Sequence, residues 1–354
     1  MNNSYDVAIV GGGPAGAVFA KEIAQVRPDL KILLIDGQGD GNRKPCGGLL
    51  APDAQKALAK LNLTLPKNIL ADPQIFTVET IDLPRRYVRY YQRHYLNMDR
   101  FAFDAWLLSL VPQTVNTVKG RCISVSKREG EFVLEILCQG ERTFISSKNV
   151  VGADGGGSIV RRTFFKSNLL QYVAIQQWFE NKGQKLPYYS CIFDPKTSDS
   201  CSWTIHKDGY VLFGGAFGRD GCRKAFEQQK ERVEEFLGNK FGPPIKTEAC
   251  LVSSPRKAKD FILGADGVFL VGEAAGFISS SSFEGISSAI LSGKALAESF
   301  AGSMNCNSIL KSYKKRSLKL RIKLYFKKPK RFVICSPLLR FLVMKSGIQT
   351  IKKY

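Results

Sequence analysis

The sequence predicts an α/β protein built around a Rossmann-like domain, followed by a region of strands and a basic C-terminal tail. Three observations indicate this class: an initial strand, glycine-rich turn and helix; two later apolar segments that each end in a glycine-rich turn; and positive charge near the C-terminus. A chain of 354 residues can form one large domain or two coupled domains. Apolar residues make up 44% of it, which excludes wholesale disorder.

The first element is a βαβ unit that carries a dinucleotide fingerprint. Residues 5–10 form an apolar strand, residues 11–16 read Gly-Gly-Gly-Pro-Ala-Gly, and a helical pattern runs to about Val26. In this fingerprint Gly13 lets the backbone approach a pyrophosphate, whose charge the helix N-terminus holds. A second strand ends at Asp36, where a carboxylate can accept from a ribose hydroxyl. The predicted dinucleotide-binding residues of this unit are Gly11, Gly13, Pro14, Ala15, Gly16 and Asp36.

Two further glycine-rich turns follow apolar strands much later in the chain. One begins at residue 150 and ends in an Asp-Gly turn, and the other begins at residue 268 and continues into a helix predicted to reach about Phe300. Three such strand ends from one sheet can enclose an extended dinucleotide with a second ring system. The residues assigned to this role are Asp154, Gly155, Gly272, Glu273, Gly276, Gly285 and Ile286.

The order of the three motifs resembles the FAD-dependent hydroxylase and geranylgeranyl reductase superfamily. In that family the acid of the last motif contacts the ribityl chain of FAD, and Glu273 stands where Asp is usual. Residues 44–48, Lys-Pro-Cys-Gly-Gly, resemble a geranylgeranyl reductase segment that lies beside the flavin. The resemblance therefore implies FAD as the cofactor, with Cys46 and Gly47 close to it.

A helix start provides a further resemblance to the same family. Residues 97–107 resemble its Arg-x-x-Phe-Asp-x-Trp-Leu segment, in which the Arg reaches the cofactor, and this role falls to Arg100. Within the family the chain most resembles the CbrA branch, through residues 44–55, 91–93, 172–178 and 272–286. The resemblance spans residues 5 to about 300 and does not supply the substrate.

The superfamily interleaves its domains along the chain, and the same organisation is expected here. The FAD-binding domain is predicted to comprise residues 1–60, 93–165 and 251–300. The substrate domain, expected to be an antiparallel sheet, comprises residues 61–92, as a loop or short strands, and 166–250; residues 301–354 form the tail. Within these ranges we predict a hairpin around Glu129-Gly130, strands at 173–179, 188–193, 202–206 and 210–213, and a helix at 222–240.

Four residues are candidates for substrate contact or proton transfer. Trp203 and Ile205 alternate onto one face of a strand, where they would line a cavity; an ordinary half-buried strand is the alternative. The Trp fits both reductase and halogenase cavity motifs, whereas Ile205 fits the halogenase form. Cys46 and His206 are candidate proton donors; tuning of the flavin or packing are the alternatives for Cys46, and a structural role is the alternative for His206.

The resemblance implies an FAD-dependent oxidoreductase that reduces carbon–carbon double bonds of a polyprenyl or other lipid-like substrate. An FAD-dependent monooxygenase or halogenase-like enzyme is one alternative, and a non-catalytic flavin- or lipid-binding protein is another. Because the chain has one dinucleotide fingerprint, NAD(P)H would bind only transiently, or ferredoxin would supply the electrons.

Cysteine and histidine content bears on metal sites and location. Nine cysteines without a CxxC motif, and only two histidines, predict reduced thiols with neither a disulfide framework nor a metal site. No signal peptide precedes the first strand, and no apolar run reaches the roughly 20 residues that span a bilayer. We therefore expect a cytoplasmic protein.

The C-terminal tail carries most of the net charge of +21, since residues 1–298 contain 37 basic and 31 acidic residues. Fifteen Lys or Arg follow between Lys311 and Lys353, with no acid after Glu298. Residues 311–330 are predicted to form an amphipathic helix, although a strand is also compatible. The expected partner is an anionic membrane surface at the inner face of the membrane; lysines that are merely solvated are the alternative. No nucleic-acid partner is expected, because no binding module is present.

Overall fold

A computed structural model describes residues 4–37, 44–183 and 189–351. The chain forms two compact units, each assembled from three separate segments. The first unit comprises residues 1–43, 103–170 and 253–326, and the second comprises residues 44–102, 171–252 and 327–354.

The described residues contain both strands and helices throughout. The strands are β1 (Ser4–Val10), β2 (Ile32–Asp36), β3 (Leu49–Leu50), β4 (Ile75–Asp82), β5 (Tyr87–Asn97), β6 (Asn116–Lys119), β7 (Arg121–Arg128), β8 (Glu131–Cys138), β9 (Glu141–Gly152), β10 (Gln171–Glu180), β11 (Tyr189–Phe193), β12 (Cys201–Lys207), β13 (Tyr210–Phe217), β14 (Lys246–Ser253), β15 (Gly264–Ala265) and β16 (Val268–Leu270). The helices are α1 (Pro14–Val26), α2 (Pro52–Ala59), α3 (Arg100–Ser109), α4 (Ile159–Phe164), α5 (Cys222–Leu237), α6 (Ile286–Phe300), α7 (Cys306–Arg316), α8 (Leu318–Tyr325), α9 (Lys327–Cys335) and α10 (Pro337–Lys345).

The first unit is organised by a sheet in the order β15-β16-β9-β1-β2-β6, with β8 and β7 continuing from β9. The strands β16, β9, β1, β2 and β6 run parallel to one another, whereas β15 pairs antiparallel with β16, and β7, β8 and the first half of β9 also pair antiparallel. The predicted βαβ unit and the hairpin around Glu129-Gly130 are both confirmed. Buried strand residues of β1 and β2 are continuous apolar runs, as parallel strands covered on both faces require.

Helices α1 and α6 pack closely against each other in this unit. A Cβ placed at Gly293 would lie 2.5 Å from the carbonyl oxygen of Ala15, so only glycine permits this approach. Phe19 of α1 makes an edge-on ring contact with Phe300 at the end of α6. The predicted helix that reaches about Phe300 is confirmed as α6, and its packing fixes the N-terminal end of α1 beside the glycine-rich turns.

The second unit contains a sheet in the order β14-β10-β13-β12-β11-β4-β5-β3. Residues 61–74 contain no strand beyond an isolated bridge at Leu70, as a loop would. Residues 75–92 are neither a loop nor short strands, because β4 and β5 pair antiparallel over at least seven residue pairs. Residues 44–60 and 93–102 also belong to this unit, whereas the sequence pattern placed them in the FAD-binding domain. The pairing of β3 with β5 holds them there, and it joins segments that lie far apart in the sequence.

Helix α5 covers one face of the second sheet. Phe226 and Val233 of α5 are fully buried, and Phe213 of β13 packs against the ring of Phe226 at 5.4 Å between centroids. The side chain of Gln229 donates to the hydroxyl of Ser202 on β12. Ser202 therefore faces α5, and Trp203 and Ile205, at the alternate positions of β12, point to the face of the sheet opposite α5.

The predicted single helix over residues 311–330 is wrong in its continuity, because the structure divides it among α7, α8 and α9. Pro329 gives the physical reason for the break between α8 and α9. It lacks the N–H that a continuous helix would bond to the carbonyl of Tyr325, where α8 ends. Within the first turn of the new helix α9 no such bond is needed, so the proline is tolerated there.

Three buried arginines attach the last segment to the second unit. Arg89 of β5 donates to the carbonyl oxygens of Val343 and Met344, and also to that of Ile348. Arg331 of α9 donates to the hydroxyl of Tyr172 at 2.8 Å and to the carboxylate of Asp199 at 3.0 Å. Arg340 of α10 donates to the fully buried carboxylate of Asp82 at 3.3 Å. Residues 327–351 are therefore integral to this unit.

We expect Arg340→Leu to lower the free energy of unfolding by about 3 kcal/mol, because it leaves a buried carboxylate without its buried partner. Arg85, whose side chain is partly exposed, would remain the partner of Asp82. Urea denaturation measures the change. As the matched control, Arg223→Leu removes an exposed guanidinium on α5 that pairs with Glu227, and should cost less than about 1 kcal/mol. Equal losses in the two variants would contradict a structural role for the Arg340 pair.

Candidate functional site

Three glycine-rich turns meet at one edge of the first sheet. They follow β1, β9 and β16, which are neighbouring parallel strands whose last paired residues are in register: Val10 with Gly152, and Gly152 with Leu270. Because the carboxyl ends of parallel strands lie at the same edge, the turns at residues 11–16, 153–157 and 271–276 come together there. Such an edge is where ligands bind in open α/β sheets.

The three turns touch through their glycines. Gly11 has a positive φ of 112°, and a Cβ there would lie 2.6 Å from the carbonyl oxygen of Ala153. A Cβ at Gly272 would lie 2.8 Å from the Cβ of Ala15. A Cβ at Gly16 would collide with the carbonyl oxygen of Gly11. The first turn thus lies so close to the second and to the third that larger residues at Gly11 and Gly272 would collide with it or with its neighbour.

Asp36 and the start of α1 complete this edge. Asp36 ends β2, and its carboxylate oxygen lies 2.6 Å from where a Cβ of Gly12 would stand. Gly13 precedes α1 in extended conformation, and Pro14 occupies the first turn of the helix. Pro at this place is preorganised for a helix start, where its missing N–H has no consequence. The predicted carboxylate and the predicted helix N-terminus are therefore adjacent.

Asp154 has a structural partner set that the sequence motif did not reveal. Its carboxylate accepts from the hydroxyl of Ser158 at 2.5 Å and from the backbone N–H of Ile159 at 2.6 Å, at the start of α4. Burial raises the pKa of Asp154, and these hydrogen bonds oppose the rise. The side chain thus caps a helix, while Gly155 with φ of 73° forms the turn beside it.

Glu273 is held by the backbone of a distant segment. One carboxylate oxygen accepts from the N–H of Ser253 at 2.7 Å, and the residue is buried. Gly276 ends the same short turn with a positive φ. Gly285 lies immediately before α6, where an added Cβ would lie 3.5 Å from the side chain of Ile278, and Ile286 is the first residue of α6. All of these predicted residues belong to the first unit.

Arg161 supports the third turn and was not assigned a role from the sequence. Its guanidinium donates to the carbonyl oxygens of Ala274 at 2.7 Å and Asp260 at 2.9 Å, and to the hydroxyl of Ser167. Burial lowers the pKa of Arg161 to about 10, so it still carries its charge at neutral pH. The adjacent Arg-Arg pair in the sequence was the available signal, but it gave no indication of which arginine is buried.

The predicted Cys46 loop lies in the second unit, against β12. Cys46 is half-buried, and its sulfur accepts from the N–H of Gly48 at 3.4 Å. A Cβ at Gly47 would collide with the side chain of Ile205. The loop and the predicted cavity-lining strand are therefore neighbours within one unit.

Lys207 fixes this loop, and its role was not predicted from the sequence. Its buried ammonium donates to the side-chain oxygen of Asn97 at 2.7 Å and to the carbonyl oxygens of Met98 and Gly48. Burial lowers the pKa of Lys207 to about 8. Lys207 lies two residues after Ile205 on β12, so the alternation of the strand points both side chains to the same face. This alternation is the only feature of the sequence that indicates where the Lys207 side chain points.

Trp203 and Ile205 lie on the face of the second sheet opposite α5. The indole N–H of Trp203 donates to the side-chain oxygen of Gln176 at 3.3 Å, and the ring covers Gly214. A small cluster continues this face, with Ala51, Ile75, Val78 and Tyr95 as its buried members. The predicted sharing of one face by the two residues follows directly from the unbroken pairing of β12 with β13.

His206 points to the other face, because it alternates with Ile205 on the regular strand β12. The residue is buried, and burial lowers its pKa, so the ring is neutral at neutral pH. The structure thus separates His206 from Trp203 and Ile205. A neutral ring on the α5 side is poorly suited to the proton-donor role that the sequence suggested.

Arg100 is the first residue of α3, directly after Asp99, whose carboxylate caps the helix by accepting from the N–H groups of Phe101 and Ala102. All nine cysteines are free. Among the residues that the structure describes, no group of three or more Cys, His, Asp or Glu could hold a metal ion.

Comparison with known proteins identifies relatives over nearly the whole chain. Protein CbrA of Escherichia coli O6:H1 (strain CFT073) is 40% identical over 350 residues, covering 97% of this chain and 94% of that protein. Protein CbrA of Shigella dysenteriae serotype 1 is also 40% identical, and the match covers 97% of this chain and 97% of that protein. The chain belongs to the CbrA family. A family model described as lycopene cyclase protein also matches residues 6–174.

Solved structures show which fold this CbrA-family chain has. A geranylgeranyl bacteriochlorophyll reductase-like protein from Thermoplasma acidophilum aligns with a TM-score of 0.77 at 21% identity, over 94% of this chain and 87% of its own. The p-nitrophenol 4-monooxygenase PnpA of Pseudomonas putida DLL-E4 gives 0.73 at 14% identity, covering 98% and 94%. The flavin-dependent brominase Bmp2 gives 0.69 at 18%, covering 97% and 92%. The predicted fold class and the CbrA branch are confirmed.

We expect Lys207→Met to destabilise the CbrA-family protein by about 2 kcal/mol, because it leaves buried acceptors on Asn97 and Met98 without a donor. The loss should also depend on pH. Folding lowers the pKa of Lys207 to about 8, from 10.5 in the unfolded chain, so the unfolded chain binds more protons between these values. The stability advantage of the native sequence over the variant should therefore grow between pH 8 and 10, as followed by urea denaturation.

The matched control for this variant is Lys224→Met, which changes an exposed lysine of α5. It should leave stability nearly unchanged and should show no extra pH dependence in the same window. A Lys207→Met loss that stays constant from pH 7 to 10 would contradict the placement of a buried, titrating ammonium at the Gly48 loop.

Proposed function

We propose that this chain is an FAD-dependent oxidoreductase that reduces carbon–carbon double bonds of a polyprenyl or other lipid-like substrate. The observation that carries the proposal is the meeting of three glycine-rich turns, after β1, β9 and β16, at one edge of the first sheet. The family resemblance of the Lys44–Gly48 segment supports reduction over the other reactions of this fold.

The residues at that edge fit an extended dinucleotide. The backbone of Gly11, Gly13 and Gly16 and the N-terminus of α1 suit a pyrophosphate, since unpaired N–H groups and the helix dipole favour negative charge. Asp36 presents a carboxylate suited to a ribose hydroxyl beside them. Glu273, whose carboxylate the N–H of Ser253 orients at the end of the third turn, is the residue that we assign to a polyol chain.

FAD, when bound and reduced by NAD(P)H or ferredoxin, would supply the hydride for such a reduction. The protein must then orient the double bond, exclude water and deliver a proton to the carbon that receives no hydride. We assign the orienting surface to the face of the second sheet that carries Trp203 and Ile205, since its apolar side chains suit a hydrocarbon chain.

Cys46 is the favoured proton donor within the second unit. Its sulfur is half-buried and stands on a loop that Gly47, Gly48 and Lys207 hold in place. The Lys207 ammonium is committed to three oxygen acceptors, so it acts as a positioning residue. His206 is the weaker candidate, because it lies on the opposite face of the sheet and its ring is buried and neutral.

The proposal is tested by purifying the protein, recording its absorption spectrum and identifying any lipid that it retains. Reduced polyprenyl product with NADPH, ferredoxin or dithionite as the electron source would support it. A hydroxylated or halogenated product would favour the monooxygenase or halogenase alternative. A bound flavin that is reduced without turnover of any polyprenyl substrate would favour a non-catalytic flavoprotein.

We expect Gly13→Val to abolish FAD retention, because the valine side chain would occupy the space that a pyrophosphate needs next to the helix start. The ratio of flavin to protein absorbance measures the effect. Gly302→Val is the matched control in the same unit, since a Cβ at Gly302 meets no atom within 4 Å. A Gly13→Val protein that purifies with full flavin content would show that the assignment is wrong.

We expect Cys46→Ala to keep FAD bound but to lower turnover roughly 100-fold or more if the thiol delivers the proton, as general acids typically contribute at least that factor. Gly47 and Gly48 still shape the loop in this variant, so flavin content should not change. Cys222→Ala, which removes another half-buried thiol of the second unit, serves as the control. Unchanged turnover on the true substrate would reduce Cys46 to a packing role.

A further inference from the structure

On α10, the last helix that the structure describes, a charged side chain is buried and apolar side chains are exposed. On α10 the charged Arg340 is only 4% exposed, whereas Leu338 is 61% and Leu342 53% exposed. Leu338 and Leu342 are four residues apart and share one face of the helix. Phe332, on the preceding helix α9, is 70% exposed. We call Phe332, Leu338 and Leu342 the apolar tail face.

This orientation is fixed by specific contacts and does not depend on a general preference of the helix. Arg340 is held by the carboxylate of Asp82, by the carbonyl oxygen of Ile334 and by its position over the ring of Phe193. Arg89 binds the carbonyl oxygens at the end of α10. With both contacts made, the leucines must face outward. In water this exposes apolar area that would otherwise be buried, so the arrangement suits an apolar surrounding.

Basic residues border the apolar tail face. Lys328 precedes Phe332 by four residues on α9, and Lys345 follows Leu342 by three on α10, so each lies on the same side of its helix as an exposed apolar residue. Both lysines are exposed. The sequence contains no acidic residue after Glu298, so nothing in this segment offsets the positive charge.

The first unit repeats the pattern on α8. Leu318 and Ile322 are 47% and 46% exposed, and Phe326, just after the helix, is 67% exposed. Lys319 and Lys323 stand next to them in the sequence. The apolar stripe predicted for this segment is therefore present, but it faces outward, while Leu324 is buried in the core.

We propose that the apolar tail face is a docking surface for an anionic lipid bilayer, into whose interface its three apolar side chains insert. The charge decides the occupant, because lysines beside exposed Leu and Phe match a surface that is both negative and hydrocarbon-rich. No helix in the part of the chain that the structure describes is long and apolar enough to cross a membrane. The contact is thus interfacial. It is independent of the proposed reaction.

The experiment is co-sedimentation of the full chain with vesicles of phosphatidylcholine mixed with phosphatidylglycerol, at low and high salt. The triple variant Phe332→Gln, Leu338→Gln, Leu342→Gln should bind roughly 100-fold more weakly, at about five-fold for each partly inserted side chain. Lys328→Gln with Lys345→Gln should weaken binding by up to about 30-fold at low salt and much less at high salt.

Matched controls change exposed residues of the same types elsewhere in the second unit. Leu70→Gln, Phe76→Gln and Ile245→Gln remove two aliphatic side chains and one Phe, and Lys196→Gln with Lys224→Gln removes two exposed lysines. These variants should bind vesicles like the native protein. Circular dichroism and flavin content check that every variant is folded, and neither readout requires a substrate.

Several results would overturn the proposal. Native protein that sediments equally with phosphatidylcholine alone at all salt concentrations would contradict the anionic surface. Equal loss in the apolar variant and its control would contradict the apolar tail face. A native dimer in size-exclusion chromatography that the triple variant dissociates, without vesicle binding, would show that a second copy of the chain covers this face instead.

Discussion

The candidate nucleotide site depends on the in-register parallel pairing of β1 with β9 and of β9 with β16. Val10, Gly152 and Leu270 stand side by side at the ends of these strands, although more than a hundred residues separate each from the next. A shift of one residue would turn every side chain of a strand to the other face of the sheet. Contacts such as that of Gly11 with Ala153 fit this one register and help to keep it.

Local patterns were sufficient to predict the elements that build this edge. The βαβ unit, the hairpin around Glu129-Gly130 and the helix that ends at Phe300 each have a periodicity and turn residues that act over a few positions. The alternation that places Trp203 and Ile205 together is equally local. For these elements propensity, pattern and turn chemistry agree, which is the condition under which a short segment specifies its own structure.

The features that could not be predicted are contacts between distant segments. Nothing near Lys207 in the sequence shows that its ammonium meets Asn97, or that Asp154 turns back to cap α4. The long strands β4 and β5 carry many polar residues and therefore read as a loop. On β4 the acids Glu79 and Asp82 are buried, and their partners Ser190 and Arg340 lie far away in the sequence. The basic tail was predicted as one helix because its charge pattern outweighed Pro329, and the arginines that anchor it have no local signal.

The attachment of residues 343–351 to β5 has a consequence for synthesis of the chain. Besides the pairing of β5 with β4, Arg89 and the backbone of Tyr90 bind residues made about 250 positions later, namely Val343, Met344 and Ile351. The first unit likewise closes only when β16 and α6 have been made. In each unit, segments made early must therefore wait for partners that are made more than a hundred residues later. Contacts of such long sequence separation make folding slow and reliant on protection from aggregation.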